Sequence, residues 1–523
     1  LLFYRMGDFY ELFFEDAKQA AAALDIALTR RGQHAGEDIP MCGVPAHSYE
    51  THLPRLIRKG FKVAVCEQME APAEAKRRGS KAVVKRDVVR LITPGTLTED
   101  SLLDAQSHNA LVAIARAEGR MGLAWVDVST GDIEAQPIDR DRISAALSRL
   151  SPGEILIADL LLEKDALTET LSDWEDRLSI LPAVRFDSGN AKQRLEKLFA
   201  VRTLDAFGSF SRAEVAAMGA LVDYIELTQR GRMPRLQSPR QITDAKVMEI
   251  DAATQRNLEL TRTLTGERQG SLLNIIDATR TAAGARLLSS RLSSPLTDPK
   301  LIAHRLDQVS VMVDCPEQRS AIRDGLSALP DVGRSLNRAA LGRGGPRDLT
   351  AIAQALQQTP PLKRLIGQAA EQAELSVSDS PYAEVSVNLG EHAVLVDHLK
   401  RALAEDVPLL ARDGRFIRDG YDDELDELRS LRDNSRKNIA ALQAHYVDGT
   451  GIATLKIRHN NVLGYYVEVP SRHGEKLLAR EEKLVEEAGT TAFIHRQTMA
   501  NAMRFTTVEL GELEGRISSA EHK

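Results

Sequence analysis

"RMGDFYELFF", Arg5 to Phe14, sets an aromatic ring and a carboxylate two residues apart, directly after a turn-forming Gly-Asp pair. Asp8 is a good helix N-cap, and Glu11 three residues later completes the D-x-x-E form of a capping box. Apolar residues then recur at Tyr10, Phe13, Phe14, Ala17, Ala20, Ala21 and Leu24, a helical stripe. The spacing predicts a helix that starts after Asp8, with Phe9 at its first position, off the stripe and at the tip. On these residues alone the plainer reading is that Phe9 packs locally and Glu11 caps.

Working outward, residues 1–95 read as mixed α/β. The short apolar stretches "DIALTRR" and "IPMCGVP" precede a helix from about Ser48 to Lys59, and "FKVAVCEQ" and "DVVRLITPG" follow as strands. Residues 1–50 hold 4 Lys/Arg against 8 Asp/Glu, whereas residues 51–90 hold 11 against 4. On a chain of net charge −7 that local excess marks either a solvated basic loop or a phosphate-facing surface.

Residues 108–160 give three strand-like segments, an amphipathic helix (Asp139 to Leu150) and a buried-type strand, "EILIADL". That is the opening order of an RNase H-like fold. It raises a nuclease reading, because such enzymes hold two metals on clustered carboxylates. Asp127, Asp132, Glu134 and Asp159 are the candidates, although Asp132 lies in a T-G-D turn where Asp serves the backbone. From about Met248 the pattern is almost wholly helical. A helix of about 25 residues, Asp422 to Tyr446, would span roughly 37 Å as a lever or arm, and Gly449 and Gly451 mark its end. "IATLKIRHN" and "LGYYVEVP" form a hairpin signal with Asn460 and Asn461 near its turn. "TTAFIHRQTMANAMRFTTVEL" returns to strand and helix. A small sheet between an outgoing and a returning helix is a module at the end of an arm.

At 523 residues the chain exceeds one core, and three or four domains are expected. Hydrophobic content of 43% and charged content of 27% are those of an ordinary soluble globular protein. Three widely spaced cysteines, Cys42, Cys66 and Cys315, fit a reduced cytoplasmic protein without a disulfide framework. There is no apolar run of membrane-spanning length and no signal peptide. The start at Leu-Leu and the end within helical pattern suggest a fragment. No G-x-x-x-x-G-K-[ST] loop, zinc-spaced Cys/His set or G-x-S-x-G elbow occurs. A nucleic-acid-gripping chain is therefore favoured over an enzyme.

Nine ordered blocks carry a resemblance: "FYRMGDFYELF", "IPMCGVPAHS", "VCEQ", "RLITPGT", "ATQRNLELT", "PRDL", "DELDELR", "TLKI" with "GYYVEV", and "RQT". The chain resembles the MutS family of DNA mismatch repair proteins over essentially all its residues. One departure is Arg291, where the family commonly has tryptophan. The resemblance implies a multidomain α+β and α/β fold. Residues 1–95 would be a mismatch-recognition domain, 105–240 an RNase H-like connector, 248–435 a helical core and lever domain, 436–507 a small β-rich DNA clamp, and 508–523 the start of a returning lever. It implies a bacterial cytoplasmic, nucleoid-associated protein that binds mismatched or looped duplex DNA as a homodimer. A MutL-type protein would act downstream, and ATP with Mg2+ would bind an ATPase domain beyond residue 523.

In the family pattern Phe9 matches the aromatic that wedges beside a mispaired base from the minor groove, Glu11 the carboxylate that bonds that base, and Met6 a neighbouring contact. Arg31 and Arg90 match positions near DNA in the first domain. Lys456, Arg458, Asn460, Arg496, Asn501 and Arg504 sit on or beside the clamp hairpin and "RQT", where contacts position the duplex without reading sequence. The alternatives are an RNase H-like nuclease, or a MutS paralogue acting on recombination structures, against which the retained F-x-E argues.

Overall fold

The computed structural model describes residues 1–70, 72–79, 82–164, 167–242, 247–376, 378, 380–460, 463–481 and 493–522. Its opening residues form a β-hairpin, not the start of a helix. Strand β1 (Leu2–Met6) runs antiparallel to β2 (Phe9–Phe13), with Met6 opposite Phe9 and Tyr4 opposite Glu11. Gly7 holds φ +62° at the first of two turn positions, where only glycine is comfortable. The expected Asp8 cap and Glu11 capping box are thus corrected: the helix begins only at Phe14 (Phe14–Leu24). The physical reason is burial with period two. Phe3, Tyr10 and Leu12 enter the core, while Phe9 does not.

Four further strands complete this sheet: β3 (Thr29–His34), β4 (Glu37–Pro45), β5 (Val63–Gln68) and β6 (Arg86–Ile92), in the order β3-β4-β2-β1-β5-β6. Alanines of helix Phe14–Leu24 and Leu53, Leu56 and Ile57 of helix Tyr49–Arg58 cover the core that Phe3, Tyr10, Leu12 and Ile92 enter.

A second six-stranded sheet follows. Strands β7 (Ala110–Ala117), β8 (Arg120–Asp127) and β9 (Asp132–Ile138) form an antiparallel meander, and β10 (Glu154–Ala158) and β11 (Leu178–Leu181) continue parallel to β7. With the short β12 (Arg240–Gln241) at the far edge, the order is β11-β10-β7-β8-β9-β12. The apolar helix Arg212–Thr228 lies on β7 and β8. Gly122 permits the approach, since a Cβ there would fall 2.4 Å from the Glu214 backbone nitrogen.

Buried polar groups tie these parts together. Glu154, 1% exposed, accepts from Thr93 (2.5 Å), Tyr224 (2.7 Å) and the Gly95 N–H (3.2 Å), and lies 3.1 Å from the Lys62 ammonium. Arg334, 2% exposed, donates to the Asp104 carbonyl (3.0 Å), the Ser107 carbonyl (2.9 Å) and Ser129 Oγ (3.2 Å). From Ala252 to Ala402 the named elements are helices, the longest being Pro346–Gln372. Arg291 lies exposed on helix Ala282–Ser293. All of this falls within one compact unit, Leu1–Gly414.

A second unit, Arg415–Lys523, holds the outgoing and returning helices. The single 25-residue helix expected over Asp422 to Tyr446 is corrected to two, Asp423–Asp433 and Ser435–Thr450. Asn434 at φ −101°, ψ 13° interrupts the α geometry. Gly451 at φ +67° ends the second helix. Strands β13 (Lys456–Asn460), β14 (Gly464–Pro470), β15 (Ile494–Thr498) and β16 (Ala502–Thr506) form a sheet in the order β13-β14-β16-β15, with helix Ser471–Glu481 after β14. Asn461 lies outside the described residues. Val467, Val469 and Phe505 face Leu442, Tyr446 and Leu510 of the flanking helices. The Tyr446 hydroxyl lies 2.6 Å from Thr507 Oγ1, and burial pushes its pKa up to about 12. Among the described residues no helix is long and apolar enough to cross a membrane.

Candidate nucleic-acid interface

The hairpin sorts its side chains by alternation. Tyr10 and Leu12 point into the core, so Phe9 and Glu11 share the opposite face with their cross-strand partners Met6 and Tyr4. Phe9 is 48% exposed at the hairpin tip. Beneath it the Tyr10 hydroxyl donates to Glu67, and burial, then that carboxylate, push the phenol pKa up. Arg86, one of the 11 cations of residues 51–90, braces the hairpin. It donates to the Arg5 carbonyl (2.8 Å), approaches Met6 Sδ (3.4 Å) and stacks over the Tyr4 ring at 5.0 Å.

Glu11 is already engaged. The Arg31 guanidinium donates to its carboxylate, with side-chain exposures of 50% for Arg31 and 14% for Glu11. Arg31 belongs to β3, and β4 lies between it and β2. Two features let it reach. The β3–β4 register slips between Arg30 and Gln33, so Arg31 and Gly32 form a bulge that re-aims the side chain. Gly43, opposite Glu11 on β4, leaves the path clear; a Cβ there would stand 3.7 Å from Glu11 Cγ. Arg90 is placed differently. It pairs with Glu99 and is only 14% exposed, recessed from the outer face.

The sheet of the second unit repeats the alternation. Ile457, Val467 and Phe505 face the core. Lys456, Arg458 and Asn460 therefore share the outer face with their register partners, Glu468, Tyr466 and Gly464. Arg504, opposite Glu468 on β16, joins them. Arg504 donates to Glu468 (3.3 Å) and Gln497 (3.0 Å) and lies 4.6 Å over the Tyr466 ring; Arg458 also reaches Glu468 at 3.3 Å. Arg496 is the extra residue where β15 slips register between His495 and Gln497, and it is exposed. Asn501 is exposed in the β15–β16 turn, and Asn460 Oδ1 accepts from the Leu463 N–H (2.8 Å). Four cations thus gather on or beside a face where one carboxylate engages two of them.

The nuclease carboxylates are engaged by other partners, although Asp127 and Asp132 are register partners across β8 and β9. Asp127, 4% exposed, accepts from Ser129 Oγ (2.6 Å) and the Asn109 N–H (3.2 Å) and faces His108 Nδ1 at 3.2 Å. Burial would raise its pKa, but these partners hold it below the usual value. Asp132 and Glu134 both face Arg240, at 3.9 and 3.0 Å. Asp159 accepts from the Leu160 and Ala183 N–H groups (2.7 and 3.1 Å). Among the described residues no three His, Cys, Asp or Glu side chains are grouped to hold a metal ion.

Comparison with known proteins agrees along the whole chain. Family models described as MutS domain I, MutS domain II, MutS domain III and MutS family domain IV match residues 1–101, 109–237, 253–455 and 420–523. The DNA mismatch repair protein MutS of Paracoccus denitrificans is 53% identical over 523 residues, covering 100% of this chain and 57% of the relative. Those of Roseobacter denitrificans and Ruegeria pomeroyi are each 52% identical over 99% of this chain, covering 57% and 58% of their own lengths. The chain thus spans a little over half the length of these relatives. With four consecutive domain models in order and half of all residues identical, the chain belongs to the MutS family.

Proposed function

We propose that this chain recognises mismatched or looped base pairs in duplex DNA and thereby initiates mismatch repair. The observation that carries the reading is the hairpin tip, where an aromatic ring, 48% exposed, shares an outer sheet face with a carboxylate. Such a ring can enter a minor groove as a wedge. Unstacking costs a few kcal/mol and costs least at a mispaired step, so Phe9 reads deformability, with Met6 beside it. Stacking on the opened base returns roughly 1–3 kcal/mol.

Glu11 adds a filter. Held by Arg31, its charge is neutralised in the free chain. An opened base that offers an N–H donor gives the carboxylate a new partner and releases Arg31 towards a phosphate. A paired base offers no such exchange, so Glu11 penalises intact duplex. Lys456, Arg458, Asn460, Arg496, Asn501 and Arg504 hold the backbone without reading sequence, and Arg90 acts from its recessed pairing with Glu99.

In the same reading, residues 1–95 form the recognition domain, 105–240 an RNase H-like connector without nuclease function, and 248–435 the core and levers. Residues 436–507 form the clamp and 508–523 the start of the returning lever. The strand order β9-β8-β7-β10-β11 supports the connector assignment. This part of the protein is not itself an enzyme and binds no cofactor. In the full-length protein ATP and Mg2+ act at an ATPase domain beyond residue 523. The complete protein works in the bacterial cytoplasm at the nucleoid, as a homodimer that hands on to a MutL-type partner. The test is duplex binding with and without one G·T pair at fixed salt. Tighter binding to the mismatched duplex is expected, and equal affinity would refute the reading.

A further inference from the structure

A cavity of about 290 Å³ opens where three separate stretches of the first unit meet: β6, the turn after helix Arg212–Thr228, and the turn after helix Val332–Ala340. Its polar lining is Asp87, Arg90, Gln229, Arg230, Arg232 and Arg343. Two of the four guanidiniums have carboxylates. Arg230 grips both oxygens of Asp87 (3.1 and 3.0 Å) at the rim, and Arg90 pairs with Glu99. The other two do not. Arg232 Nη1 reaches the Leu341 carbonyl at 3.3 Å, and Arg343 Nη1 is buried without a hydrogen-bond partner.

Gln229 makes the same point independently. It is 1% exposed, yet neither its amide oxygen nor its amide nitrogen has a partner. Buried polar groups are normally hydrogen-bonded, and buried charges paired. Burial and the neighbouring Arg90 and Arg232, against the pull of Glu99, push the Arg343 pKa down to about 10. Gly342, at φ +66°, lets the cations crowd: a Cβ there would lie 3.1 Å from Arg232 Nη1. Four guanidiniums against two carboxylates leave two positive charges over, with orphaned donors around an open volume.

We infer that this cavity is a binding site for a phosphate group. A dianion with several acceptor oxygens supplies the charge and hydrogen bonds that the lining lacks, and guanidinium forks match phosphate geometry. At the small end of ligand pockets, the volume suits phosphate or pyrophosphate. Because the lining comes from the segments matched by MutS domains I, II and III, an occupant would fasten three domains together. A free phosphate or pyrophosphate matches both surplus charges, whereas a phosphodiester of bound DNA, a monoanion, would match one of them.

Thermal unfolding of this chain in pyrophosphate and in chloride at matched ionic strength tests the site. Pyrophosphate should raise the melting temperature by on the order of 2 °C, and Arg343→Gln and Arg232→Gln should each remove most of that rise. Matched-duplex binding by the same variants separates the sources. Unchanged affinity identifies a free anion, and a fall in affinity together with competition by pyrophosphate identifies a DNA phosphate. If pyrophosphate stabilises no more than chloride and the variants bind duplex as the parent does, the site does not exist. Stabilisation equal in parent and variants would also overturn it, as would a variant already more than about 5 °C less stable in chloride, since the cavity would then be a structural junction. None of these readouts depends on mismatch discrimination.

Discussion

Two outer sheet faces, one on the hairpin of the first unit and one on the four-stranded sheet of the second, are built on the same plan and end with opposite properties. In each, alternation buries one row of side chains, a carboxylate stands on the other row, and arginine closes on it. On the hairpin face Arg31 meets Glu11, leaving an exposed ring, Phe9, as the feature that can enter a base stack. On the second face Glu468 engages Arg458 and Arg504, while Lys456 and Arg496 stand exposed. Beside the ring Glu11 is matched by Arg31, and Arg86 is held against the Tyr4 ring and the Arg5 carbonyl, whereas the other face sets four cations against one carboxylate. A face that offers a ring can discriminate; a set of cations can only hold, because every phosphate looks alike.

The comparison can be broken from either side. The largest effect is expected for Phe9→Ala. With the stacking surface gone, mismatch affinity should fall by about one to two decades, towards the matched-duplex level. An exposed residue leaves the fold intact, so a thermal melt should be unchanged. Glu11→Ala should cost less and differently. Discrimination should fall by roughly tenfold, the size of a lost base contact, while matched-duplex affinity holds or rises because a carboxylate near phosphates is gone. Fluorescence anisotropy on matched and G·T duplexes checks both variants. Loss of matched binding by Glu11→Ala would contradict the filter.

Lys456→Ala and Arg496→Ala should weaken matched and mismatched binding about equally. Each should lower the slope of log affinity against log salt by about one unit, measurable in a salt titration. A change in the mismatch-to-match ratio would mean the second face reads the lesion. The smallest effect is expected for Glu468→Gln. It releases Arg458 and Arg504 from a partly exposed carboxylate, costing about 0.2–1 kcal/mol of stability by chemical denaturation. Duplex affinity should rise slightly, and equally for both duplexes.

Much of this was legible in the sequence, for physical reasons that can be named. Strands such as "NALVAIARA" and "LGYYVEVP" declare themselves by burial pattern, and Lys456, Arg458 and Asn460 fall on one face because strand side chains alternate. The opening hairpin misled because "DFYELFF" satisfies a capping box and a helical stripe at once. The Gly-Asp pair between two aromatic runs was the competing hairpin signal, and tertiary burial of Tyr10 and Leu12 decided for it. The break at Asn434 left a trace, because Arg432 and Ser435 on either side of it interrupt the heptad-like apolar spacing, but an interrupted stripe does not by itself end a helix.

The Glu11–Arg31 contact could not be read either, since it depends on a bulge and a glycine on two other strands. Glu154 read as part of a strand, and only the fold brings Thr93, Tyr224 and Lys62 to it. The arginines around the cavity come from three stretches, at positions 90, 230 with 232, and 343, too far apart for any local pattern to join.

The most direct test sets the two faces against each other in one experiment: the affinity ratio for G·T over matched duplex, at one salt concentration, for the parent chain, Phe9→Ala and Arg496→Ala. The account predicts that Phe9→Ala brings the ratio close to one, whereas Arg496→Ala keeps the parent's ratio and loses affinity for both duplexes alike. A Phe9→Ala chain that is stably folded and still prefers the mismatch, or an Arg496→Ala chain that loses the preference, would contradict it.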